Sequence, residues 1–199
     1  MPSIDSLIRP VSLQGTSLRL RPLLETDFPL LLKWRNDPTD LMLWSEARSL
    51  VTDSVYADEL RGEYKQGVYR LCIEENGSGQ LIGHIFTHGH SLQNHHAYVG
   101  LYLCPEKRDS YFGAEAFLLF LKYAFTYFSL VKLYFDVFEY NTHSYQIMER
   151  AGFHKEGEFK KHLQYDGQYW TMFRFAAYRE DLPKAEKYLE RFRRHAGSP

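Results

Sequence analysis

Residues 97–128 read AYVGLYLCPEKRDSYFGAEAFLLFLKYAFTYF. The segment predicts a short apolar strand, a turn rich in charge and glycine, and a long apolar helix. The first N–H groups of a helix have no partner within the helix, and the helix dipole favours negative charge there. A strand that leads through a glycine-bearing turn into a helix is therefore a candidate anion site, and it indicates a phosphate-bearing ligand.

Length and composition predict one domain of a cytoplasmic protein. The chain has 199 residues, with 24 Lys and Arg against 25 Asp and Glu, and a net charge of -1. This balance does not predict a nucleic-acid partner, and no apolar run approaches the length that spans a membrane. Cys72 and Cys104 lie in apolar, strand-like runs, which is typical of buried thiols in a reducing compartment rather than of a disulfide or a metal site.

The remaining segments predict a mixed α/β domain. After an irregular lead-in (residues 1–16), alternation and helix-cap signals give the order β-α-α-β-β-β-α-β-α-β-β-α. Gly152 is a helix stop, and Asp166-Gly167 is a strong hairpin turn. We expect the domain to cover residues 17–182 and a C-terminal helix and tail to cover residues 183–199.

Four segments in this order resemble the GCN5-related N-acetyltransferase (GNAT) superfamily, and in particular its ribosomal-protein alanine acetyltransferase-like branch. They are LRLRPLLETDFPLLLKWRNDP, YVGLYLCPEKRDSYFGAEAFLLFLKYAF, VFEYNTHSYQIMERAGFHKEGEF and QYDGQYW. The resemblance implies the GNAT acyl-CoA N-acyltransferase fold, of α+β type. In that fold a mixed, mostly antiparallel sheet flanked by helices splays between strands four and five, and acetyl-CoA lies in the gap.

The resemblance also implies where the cosubstrate binds. Gly100 matches a strand-bulge position, where the missing Cβ lets strand four bend away from its neighbour. The implied cofactor-binding residues lie on strand four, on the following turn and beyond strand five: Leu101, Tyr102, Leu103, Arg108, Asp109, Ser110, Tyr111, Phe112, Gly113, Ala114, Asn141 and Ser144.

Two positions depart from the family pattern. The turn pattern is Arg/Gln-x-x-Gly-x-Gly/Ala, and Tyr111 stands where the first glycine belongs, so we expect its side chain to crowd the pyrophosphate or to shift the turn. Met148 stands where many members have a tyrosine that protonates the leaving thiolate. The ribosomal-protein branch often uses the serine of Asn-x-x-Ser, and Ser144 fills that position as a candidate acid.

A base for the attacking ammonium group is also needed. Glu139, at the end of strand five, is the first candidate, although an exposed strand-end carboxylate without a role is a slightly better interpretation. The carboxylates that the branch often carries elsewhere are replaced by Tyr98 and Thr171. His88 or His96 could form a wall of the acceptor site and act as a base near neutral pH, whereas a histidine metal site is not expected.

The sequence thus predicts an N-acetyltransferase that moves an acetyl group from acetyl-CoA to a primary amine by direct attack in a ternary complex. The acceptor could be a protein N-terminus, an amino sugar or a small metabolite, and the protein a monomer or a homodimer. Two alternatives remain open: a non-catalytic acyl-CoA-binding or regulatory module, and transfer of a different acyl group. Aromatic residues of the first two helical segments could stack on a substrate or belong to the core: Trp34, Trp44, Tyr56 and Tyr64.

Overall fold

The computed structural model describes residues 13–43, 49–108 and 110–196, with the backbone alone for residues 43 and 192–196. Asp109, Trp44 and residues 1–12 of the predicted lead-in lie outside the described residues. The strands are β1 (Leu18–Pro22), β2 (Tyr69–Glu75), β3 (Leu81–Ser91), β4 (His96–Leu103), β5 (Lys132–Phe138), β6 (His154–Tyr165) and β7 (Gln168–Tyr178). The α-helices are α1 (Phe28–Arg35), α2 (Asp53–Gly62), α3 (Phe112–Tyr127), α4 (Thr142–Ala151) and α5 (Leu182–Ala196). The mixed α/β fold and the predicted order of elements are confirmed.

One sheet, in the order β1-β2-β3-β4-β5-β7-β6, joins all seven strands. Neighbouring strands are antiparallel except β4 and β5, which run parallel. These two pair only from His96 opposite Lys132 to Tyr98 opposite Tyr134. Because both strands continue for several residues without further pairing, the sheet opens there, and the predicted splay between strands four and five is confirmed.

Gly100 does not lie at a bulge. The register of β3 and β4 is continuous from Gly83 opposite Leu103 to His88 opposite Tyr98, and the irregularity falls later, between His88 and Ser91. The bulge predicted at Gly100 is therefore wrong. Glycine is needed here for a different reason, because a Cβ atom on Gly100 would lie 2.4 Å from Cζ of Phe86 on the adjacent strand.

The two faces of β4 contact different helices. Tyr102 packs against Trp34 of α1, with ring centroids 5.3 Å apart. Leu103 points to the opposite face and lies against the start of α3 near Gly113. Both cysteines are buried free thiols, as predicted. None of the described helices is long and apolar enough to cross a membrane.

Candidate active site

A cavity of about 920 Å³ opens between the diverging ends of β4 and β5. Its walls come from β3 to β7 and from the helices α3, α4 and α5. The described lining residues with polar side chains are His88, Tyr98, Tyr102, Arg108, Ser110, Asp136, Tyr140, Asn141, His143, Ser144, His162, Arg174 and Tyr188. The cavity therefore brings together segments that are far apart in the sequence.

The N-terminus of α3 faces this cavity. Gly113 and Ala114, in the first turn of the helix, both line the cavity. Their N–H groups precede the first intrahelical bond, in which the Glu115 N–H donates to the Tyr111 carbonyl oxygen at 2.9 Å. Amides at this position and the helix dipole suit an anionic group. The start of α3 thus has the features of the anion site that the local sequence pattern predicts, and its role stays a prediction.

Tyr111 occupies ordinary right-handed backbone space, with φ of -73°. Its ring stacks on Phe112 with centroids 5.1 Å apart. Neither Tyr111 nor Phe112 is among the residues that line the cavity. The Tyr111 ring therefore lies outside the cavity lining, and no positive φ makes glycine necessary at this position, whereas crowding of a bound pyrophosphate stays a prediction.

Arg108 is held by a buried carboxylate that sequence reasoning missed. Its Nη1 and Nη2 donate to Oδ1 and Oδ2 of Asp40 at 2.8 and 2.6 Å. The Tyr102 hydroxyl donates to the same carboxylate at 2.6 Å. Burial acts to raise the pKa of Asp40, but the hydrogen bonds from Arg108 and Tyr102 outweigh it, so the pKa lies below its ordinary value. Asp40 is therefore a charged, fully partnered anchor.

Asn141 and Ser144 meet at the start of α4, on the cavity wall. The Ser144 N–H donates to Oδ1 of Asn141 at 3.2 Å, so Asn141 caps the helix. Met148, one turn later, also lines the cavity. The position at which many family members carry a tyrosine thus faces the cavity but holds a thioether, whereas Ser144 presents a hydroxyl.

Glu139 is not brought to the cavity. Its carboxylate accepts from the Thr171 N–H at 3.0 Å and lies beside a separate depression with Thr142 and Tyr145. Glu139 follows the last residue of β5, in the turn beyond the strand. Asp136, which is not among the residues singled out from the sequence, lines the cavity instead.

His88 and the ion pair of Asp136 with Arg174 line the cavity. His88 stacks on Tyr98 with centroids 5.5 Å apart. Although His88 is exposed, nearby protein atoms desolvate its ring, and this lowers its pKa despite an opposing effect of Asp136. Asp136 is paired with Arg174 through two hydrogen bonds of 2.8 Å. A neutral imidazole therefore lies close to a carboxylate whose charge is compensated.

The other predicted groove residues do not line the cavity. Trp34 and Tyr56 belong to the hydrophobic core, and Tyr64 is 76% exposed. His96 packs edge-on against Tyr134, with centroids 5.3 Å apart, and is likewise not a lining residue.

Comparison with known proteins agrees with this architecture. Residues 17–154 match a family model described as an acetyltransferase (GNAT) domain. Two Bacillus subtilis proteins described as uncharacterized N-acetyltransferases, YoaA and YnaD, are each 28% identical to the chain, over 103 and 101 residues. These matches cover 52% and 51% of the chain but only 58% and 59% of the relatives, less than two thirds of their length.

Solved structures share the fold at low sequence identity. The spermidine N-acetyltransferase of Vibrio cholerae, in complex with CoA and spermine, has a TM-score of 0.77 and 21% identity, and the alignment covers 85% of this chain and 99% of that one. RimL, a ribosomal α-N-protein acetyltransferase in complex with coenzyme A, has a TM-score of 0.71 and 16% identity, with coverage of 85% and 96%.

Proposed function

The chain belongs to the GNAT acetyltransferase family, and from that premise we propose that it transfers an acetyl group from acetyl-CoA to a primary amine. One observation carries the proposal: the cavity lies where β4 and β5 separate, with the N-terminus of α3 on its wall. The gap suits the pantetheine arm, and the helix N-terminus suits the pyrophosphate. Structural neighbours that were solved with CoA support this assignment.

In the proposed complex, the pantetheine arm pairs with the edge of β4 at Leu101–Leu103, which β5 no longer covers. The pyrophosphate accepts from the amides of Gly113 and Ala114, with the residues from Arg108 to Phe112 shaping the turn before them. Asp109, a further proposed contact, lies outside the described residues.

Direct transfer requires a neutral amine, a polarised carbonyl and a proton for the departing sulfur. The amine nitrogen attacks the thioester carbon, a C–N bond forms, and the C–S bond then breaks. We assign the proton for the thiolate to the Ser144 hydroxyl. We assign acceptance of the ammonium proton to His88, whose lowered pKa keeps it neutral at pH 7.

The electrostatics of the cavity bear on the acceptor. Asp136 is the one carboxylate among the described lining residues, and Arg174 neutralises it. A polycation usually binds where several carboxylates are uncompensated, so this site favours a singly charged amine. Protein N-terminus, amino sugar and small metabolite all remain candidates. Ser144 supports a protein N-terminus among these, because the ribosomal-protein branch often has a serine at this position.

A second candidate is an acyl-CoA-binding module without turnover, and Met148 favours it because a thioether has no proton to give. One assay decides between the candidates: release of CoA from acetyl-CoA in the presence of a broad amine panel, with calorimetric titration of acetyl-CoA alongside. Turnover with an amine supports the transferase, and binding without turnover supports the module. A folded protein that neither binds nor turns over acetyl-CoA contradicts both, and turnover only with a longer acyl chain indicates a different donor.

A further inference from the structure

The segment from Asp40 to Met42 contacts both sides of the cavity. At one end, Asp40 accepts hydrogen bonds from Arg108 and Tyr102, which belong to the end of β4 and the turn after it. At the other end, the carbonyl oxygen of Met42 accepts from the Tyr140 hydroxyl, which follows β5. Because β4 and β5 are unpaired beyond Tyr98 and Tyr134, this segment joins two strand ends that the sheet itself leaves apart.

The contacts of Arg108 continue into the turn that precedes α3. Its Nε donates to the carbonyl oxygen of Leu103 at 2.9 Å. The carbonyl oxygen of Arg108 accepts from the Ser110 N–H at 2.8 Å, and the Ser110 hydroxyl in turn accepts from the Phe112 N–H at 3.4 Å. Arg108 is thus connected to the first amide of α3 through two hydrogen bonds, and its side chain is also bonded to the end of β4.

The Asp40 carboxylate is well suited to hold that side chain still. Its side chain is 2% exposed, whereas that of Arg108 is 30% exposed. Two parallel N–H···O bonds between a guanidinium group and a carboxylate fix orientation as well as distance. Removing one partner of such a buried pair leaves the other without compensation, which makes the arrangement sensitive to single substitutions.

We propose that the segment Asp40–Met42 holds the two sides of the cavity together. Asp40 is a positioning residue that, through Arg108, orients the amides of the α3 N-terminus for the pyrophosphate. The inference rests on the proposed function for the identity of the ligand. Asp40 itself does not contact the ligand, because its carboxylate is enclosed by Arg108 and Tyr102.

Calorimetric titration of the full chain with CoA and with pantetheine, which lacks the pyrophosphate, tests the inference. Asp40→Asn should raise the Kd for CoA at least tenfold and that for pantetheine less than twofold. Asp37→Asn is the matched control. Asp37 lies in the same turn, and among the described residues its side chain bonds only to Thr39, so the change should leave both values within twofold. Tyr140→Phe removes the hydrogen bond to Met42 at the other end of the segment. It should weaken the binding of both CoA and pantetheine, because it widens the cavity without changing the turn before α3.

A role in folding alone would lower the fraction of native protein and affect both ligands equally, and this result overturns the inference. An unchanged Kd for CoA overturns it as well. If Asp40→Asn does not fold, Arg108→Gln breaks the same ion pair at its more exposed partner. The Kd for CoA should then rise more than the Kd for pantetheine. Absence of turnover in the wild type would refute the transferase but not the inference, because binding is measured without an acceptor.

Discussion

Replacing Gly100 by alanine tests why this strand needs a glycine. The new Cβ atom would lie 2.4, 2.7 and 3.0 Å from Cζ, Cε1 and Cε2 of Phe86. Neighbouring side chains limit the turning of the ring on two sides: His84 and His88 are tilted against it with centroids 5.8 Å away, and the Arg70 guanidinium lies 4.2 Å from its centre. Forced overpacking of this kind typically costs about 1–3 kcal/mol. We expect Gly100→Ala to lower the free energy of unfolding by about that amount.

The same substitution in a Phe86→Leu background separates the two explanations of the glycine. Leucine has no atoms at the three contact positions, so the clash disappears. Alanine then gains about 0.5–1 kcal/mol over glycine inside a strand, because glycine loses more backbone entropy on folding. The effect of Gly100→Ala should therefore change from destabilising to neutral or stabilising.

Urea denaturation of the four proteins measures both effects from the midpoint, provided that the m-value is unchanged. An equal loss in both backgrounds would refute the steric explanation, because it would mean that strand bending alone requires the glycine. A negligible loss in the Phe86 background would show that the ring moves aside freely.

Three further predictions concern the site. Ser144→Ala should lower kcat about 100-fold while the Kd for CoA stays within twofold, since general acid catalysis contributes at least that much; Ser144→Thr keeps a hydroxyl as the control, and an unchanged kcat would remove Ser144 from the mechanism. As the pH falls, kcat/KM should decrease through a pKa below 6.5, because His88 has a lowered pKa and is neutral, and able to accept a proton, only above that pKa. If His88→Gln shows the same decrease of kcat/KM at low pH, another group is the base. Tyr111→Gly should leave the Kd for CoA within twofold, since the ring lies outside the cavity, whereas tighter binding would show that the ring obstructs the ligand.

The fold could be predicted because its signals are local. Gly152 adopts a positive φ of 79° at the end of α4, and Asp166 and Gly167 form the turn between β6 and β7, both as their residue types indicate. The proposed anion site at Gly113 and Ala114 follows from one continuous strand–turn–helix segment. These inferences needed no knowledge of which segments meet in space.

The rest of the site depends on contacts between distant segments. Asp40 meets Arg108 across 68 residues, and Asp136 meets Arg174 across 38. A single sequence carries no signal for such pairs beyond a charge within an otherwise apolar run. Glu139, the first candidate base, does not line the cavity. The alternation that gives β5 an apolar face at Leu133, Phe135 and Val137 places Asp136 on the other face, beside the cavity.

A crystal structure of the chain with CoA tests the central claim most directly. The account predicts the pantetheine arm between β4 and β5, the thiol nearer to Ser144 than to Glu139, and pyrophosphate oxygens about 3 Å from the amide nitrogens of Gly113 and Ala114. CoA bound elsewhere on the protein, or phosphates that do not contact the start of α3, would contradict it.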